Sequence, residues 1–117
     1  MFAKIEESPD HVIAVLVSGQ ITKADYEYLN TWLESHKQQY GEIRLYLEMA
    51  EFQWPTASAM WEDLKDIKYL KSIHKIAVAT NKDWIETAAK IQDYLMPGIP
   101  LKTFELDERQ EALNWLA

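Results

Sequence analysis

Cysteine is absent from the 117-residue chain, which excludes disulfides, thiolate metal sites, thiol nucleophiles and cysteine-ligated iron–sulfur clusters. That composition fits a reducing compartment. Glycine is scarce: Gly19, Gly41 and Gly98 stand far apart, each where a predicted element ends, so no glycine-rich loop is available to cradle a phosphate. Long hydrophobic runs are missing too. The longest, Val12 to Val17, falls far short of the roughly 20 apolar residues that a membrane-spanning helix needs. Basic side chains are in deficit, 12 against 19 acidic ones, and the formal charge of −7 repels phosphate backbones, so no nucleic acid is expected as a partner. Met1 to Pro9 carries Glu6 and Glu7 and has neither the basic flank nor the apolar run of a signal peptide, so a cytoplasmic protein is expected.

What is present is a series of short apolar runs alternating with helical stripes. Val12 to Val17 reads as a strand buried on both faces, and Ala3 to Glu7, joined to it through Ser8-Pro9-Asp10, as an antiparallel edge strand. Thr22 and Asp25 form an acidic capping box for a helix to about Gln39, with Tyr26, Leu29, Leu33, His36 and Tyr40 on one face and Gly41 closing it. Ile43 to Leu47 is the next strand. Thr56 caps a predicted helix striped by Ala57, Met60, Trp61, Leu64 and Ile67. Lys75 to Ala79 is a strand, Asp83 and Glu86 open a helix through Trp84, Ala88, Ile91 and Leu95, and Pro97-Gly98 stops it. Leu101 to Glu105 is the last strand, followed by a helix opened by Asp107 and Gln110 with Ala112, Trp115 and Leu116 turned inward. The alternation predicts one α/β domain over residues 1–117. Its mostly parallel five-stranded sheet has an antiparallel N-terminal edge strand and four helices, in a strand order that the pattern leaves open.

These residues carry a resemblance: Gly19-x-Ile21-Thr22-x-x-Asp25-Tyr26, Trp61-x-Asp63-Leu64, Ile76-Ala-Val-Ala79, Trp84 and Ala112-x-x-Trp115-Leu116. The chain resembles the SpoIIAA-like family, the bacterial group that joins STAS domains to the SEC14 (CRAL-TRIO) lipid-carrier fold. The resemblance covers essentially the whole length and implies the fold above more than an activity. Through the SEC14 side it implies lipid binding. Through the STAS side it implies a regulatory module that binds a partner protein and is phosphorylated at the start of the helix opened by Thr56, where Ser58 or Thr56 would take the phosphate. The plainer reading makes Thr56 a cap and Ser58 a first-turn residue.

His11, His36 and His74 share no metal-ligand spacing, and His36 on the packed helix face reads as a hydrogen-bonded residue at the core edge. Glu48, Glu51, Glu62, Asp63 and Asp66 could supply an acid and a base, but such clusters in an acidic chain usually form a solvated face. No nucleophile, metal set or phosphate loop accompanies them. A non-enzymatic domain without cofactor or metal is therefore expected. The surplus of apolar bulk lies in two segments. Trp54, Met60, Trp61 and Leu64 from the first, and Trp84, Ile91 and Leu95 from the second, are the expected walls of a pocket for a small lipophilic molecule. Lys68, Lys71, Ile85 and Met96 would make transient peripheral contact with an anionic membrane, alongside Lys65. The competing readings are a filled core and a face that packs on a second copy in a homodimer.

Overall fold

The β-branched run after His11 forms the second strand of a five-stranded sheet in the computed structural model, which describes residues 1–19, 22–52, 72–81 and 99–117. That strand, β2 (Ile13–Gly19), pairs antiparallel with β1 (Phe2–Lys4), Phe2 opposite Val17. The edge strand begins one residue earlier and ends sooner than the run Ala3 to Glu7 suggests. After the Ile5 N–H reaches the Ala14 carbonyl at 2.8 Å, the chain bends, and the Ser8 hydroxyl donates back to the Ile5 carbonyl. β3 (Ile43–Phe52), β4 (Ile73–Thr80) and β5 (Leu101–Glu105) follow in parallel, and the order across the sheet is β1-β2-β3-β4-β5.

Alternation along the strands separates two unequal faces. Ile13, Val15, Val17, Leu45, Leu47, Met49 and Val78 join Leu29 and Leu33 of helix α1 (Lys23–Tyr40) in a large aliphatic cluster. The other face carries Ala14, Ala77 and Ala79, small side chains that leave room for the second described helix, α2 (Arg109–Leu116), to lay Ala112, Leu113 and Leu116 against them beside Tyr46. Two bulges keep this sorting intact. One extra residue in β4, His74, lets Ile73 and Ile76 reach the same face, and one in β3 separates Met49 from Glu51.

Local chemistry sets the ends of α1. The Thr22 N–H donates to Asp25 Oδ2 at 2.8 Å and the Asp25 N–H to Thr22 Oγ1 at 3.3 Å, closing the capping box. At the other end Gly41, at φ 81°, returns its N–H to the Lys37 carbonyl at 2.8 Å. A Cβ there would meet nothing within 4 Å, so it is the left-handed backbone and not space that favours glycine.

The C-terminal helix departs from its expected opening. A 3₁₀ turn at Leu106–Glu108 precedes it, and the Glu105 N–H donates to Glu108 Oε1 at 2.7 Å, two residues before the expected Asp107 and Gln110 pair. Its far end is closed by cations from the sheet. Arg44 donates to the Leu116 carbonyl, and Lys75 to the Trp115 carbonyl at 3.2 Å. The helices expected over Thr56 to Ile67 and Asp83 to Leu95 lie outside the described residues. Among the described residues no helix is long and apolar enough to cross a membrane.

Candidate functional site

Two polar arrangements stand out from the apolar frame. The first lies under α2. Glu48 occupies a sheet position that faces α2 and is buried, and Arg109, on the first turn of that helix, donates to it through Nε at 2.8 Å and Nη2 at 2.7 Å. The fully buried Tyr46 completes the set, its hydroxyl donating to Glu48 Oε1 at 2.8 Å. Arg109's bidentate hydrogen bonds hold the Glu48 carboxyl below its usual range despite burial, with help from Tyr46. Burial and the adjacent carboxylate push the Tyr46 hydroxyl well above its usual range. Glu48 is thus not the solvated carboxylate its acidic neighbourhood suggests. It is an ionised, fully committed anchor for α2, with no proton to exchange at neutral pH.

The second arrangement is a cleft of about 330 Å³ between α1 and the connection from β1 to β2. Val12, Ile13 and Ala14 lie at its floor, and Trp32, His36 and Tyr40 line it from the helix. Lys4, Glu6 and Asp10 stand at its exposed rim. The imidazole of His36 meets the His11 carbonyl through Nε2 at 3.0 Å and packs against the Tyr40 ring, 4.7 Å between centroids. Burial lowers the His36 pKa, so its neutral form is favoured. Tyr40, expected on the packed stripe, is instead 37% exposed, because the helix face it ends on opens into this cleft.

The three histidines do not converge. His36 serves the His11 backbone, and His74 Nδ1 lies 3.6 Å from Glu42 on the surface. Among the described residues the one group with metal-ligand proximity is Glu105, Asp107 and Glu108, whose last member already accepts a backbone N–H.

All of the expected pocket walls, Trp54, Met60, Trp61 and Leu64 with Trp84, Ile91 and Leu95, lie outside the described residues. So do the expected membrane contacts Lys68, Lys71, Ile85 and Met96, and the hydroxyls of Thr56 and Ser58. Glu62, Asp63 and Asp66 do as well. The backbone does fix where the two segments attach. β3 and β4 are parallel neighbours with Met49 opposite Thr80, so residues 53–71 and 82–98 both leave from the carboxyl edge of the sheet, on adjacent strands. The cleft beside α1 was not legible as a site. Its one signal is the run of rings Trp32, His36 and Tyr40 at four-residue spacing, which the aliphatic stripe of the same helix obscures.

The SpoIIAA-like family model matches residues 12–117. The chain is similar to an uncharacterized protein of the DUF3478 family with a SpoIIAA-like fold from Shewanella loihica PV-4. The TM-score is 0.71 at 26% identity, over 100% of this chain and 93% of that one. No curated protein matches. With a family match over almost its whole length and the strand order and helix placement described above, the chain belongs to the SpoIIAA-like family.

Proposed function

We propose that this SpoIIAA-like domain is a non-enzymatic binding module. It holds a small lipophilic molecule between segments 53–71 and 82–98, with Trp54, Met60, Trp61 and Leu64 facing Trp84, Ile91 and Leu95. One observation carries the reading: the two segments that hold three of the chain's five tryptophans, Trp54, Trp61 and Trp84, both leave from the carboxyl edge of adjacent parallel strands. That edge is where open α/β sheets gather their ligands. Lys68, Lys71, Ile85 and Met96 would give such a pocket a peripheral membrane contact for loading. The committed state of Glu48 adds weight against an acid–base role for that carboxylate.

Native mass spectrometry of protein purified from cells, before and after organic extraction, tests this. The expected spectrum before extraction carries an extra small mass that extraction removes and that Trp61→Ala or Leu95→Ala diminishes. A spectrum of bare chain, single or paired, in both samples rejects the lipophilic ligand.

The family also supports a second reading, a regulatory module that binds a partner protein. Thr56 lies four residues past Phe52, the end of β3, so a phosphate at Thr56 or Ser58 would sit near that same edge. Loss of partner binding in Ser58→Asp, with retention in Ser58→Ala, is the outcome that favours it.

A further inference from the structure

Independent of that reading, the cleft beside α1 has a chemistry of its own. Its rings are held differently. His36 is buried and committed to the His11 carbonyl, and Tyr40 leans on it. Trp32 presents its face to the rim, where the Lys4 ammonium lies 5.2 Å from the ring centroid. An ammonium at that distance is attracted by the negative face of the indole, whose quadrupole favours weakly hydrated organic cations.

Charge at the rim points the same way. Lys4 is the one ammonium among the described residues of the lining, which also holds two carboxylates, Glu6 and Asp10, in a chain of net charge −7. The neutral His36 adds no opposing charge. Lys4 is exposed at the end of β1, so its long side chain can leave the ring without disturbing the sheet.

We propose that this cleft binds a small organic ammonium ion, its head seated on the Trp32 ring in place of the Lys4 ammonium and its remainder lying towards His36 and Tyr40. The chain's own lysine holds the seat in the free protein. Glu6 and Asp10 supply the balancing charge, and the rings of His36 and Tyr40 take the uncharged part of the ligand.

Choline and its uncharged isostere 3,3-dimethyl-1-butanol are the probes, followed through the indole N–H resonances. Choline is expected to shift the Trp32 signal saturably, while the alcohol leaves it in place. Lys4→Gln, which removes the internal competitor without touching the core, should tighten choline binding by roughly two- to fivefold, the range of an exposed cation–π contact. Trp32→Leu should abolish it. Trp115 is an internal control, since Lys75 sits 5.1 Å over its ring outside the cleft. An equal shift of Trp115, equal effects of choline and the alcohol, or no tightening in Lys4→Gln would each overturn the proposal, even if Trp32→Leu fails to fold. Pelleting with phosphatidylcholine vesicles beside the Trp32 shift assigns the head to a lipid, and a shift without pelleting assigns it to a free solute; both uphold the cleft. Pelleting with no Trp32 shift overturns it.

Discussion

A single arginine decides how the C-terminal helix is held. Arg109 is 40% exposed at its side chain while Glu48 is 9%, so the pair is half in water, and its two short hydrogen bonds contribute less than in a dry core. Removing Arg109 still strands a carboxylate against the sheet. Arg109→Leu should cost about 2–3 kcal/mol in urea unfolding, below the 3–5 kcal/mol of a fully buried pair. The double variant Arg109→Leu, Glu48→Leu should recover much of that loss, because no orphaned charge remains. If the double variant is as unstable as the single one, packing and not charge holds α2. None of this was legible in the residues. Glu48 alternates with Leu47 and Met49, as any exposed strand residue would, and its partner lies 61 positions away.

Elements whose ends are set within a few residues were readable. The Thr22 and Asp25 box and the Gly41 terminator act over three to four positions, and the structure holds both where the pattern puts them. Gly41→Ala should therefore cost about 1 kcal/mol through the left-handed backbone alone, and Thr22→Ala a similar amount through the lost cap, both read as shifts in thermal midpoint. A neutral Gly41→Ala would show that the turn relaxes to another conformation. β3 runs on to Phe52, beyond the Leu47 at which its sequence pattern stops. Its last residues follow a bulge, which breaks the alternation that marks a strand, and the cap of the C-terminal helix moved for a comparable reason, since a 3₁₀ turn has its own spacing.

For the whole molecule, acid should act in two stages. Burial lowers the His36 pKa below its ordinary 6.5, so the unfolded chain binds that proton first. The contribution is complete above pH 6.5 and is lost as pH falls towards the folded-state value. Glu48 is held below the ordinary carboxylate value of 4.5, so its contribution is present above that pH and lost as pH falls beneath it. Denaturant midpoints should decline first as pH falls below 6.5, a slope that His36→Gln removes, and again below pH 4.5, a slope that Arg109→Leu weakens. A profile in the parent protein that stays flat from neutral pH to the carboxylate range would show that His36 is hydrated or easily charged in place. Net charge plays a different part, since the sequence isoelectric point near 4.9 brings the second stage close to minimum solubility.

The sequence by itself determined the five strands, the antiparallel first pair, the two ends of α1 and the family, because caps, turns and periodicities are interactions between residues close along the chain. Only the tertiary structure decided the strand order, the alanine face that admits α2, the Arg109 anchor of Glu48 and the cleft that brings Lys4 onto Trp32. Each of these joins residues distant along the chain, and the choice among such contacts is made by burial and charge pairing in three dimensions, which no local pattern records.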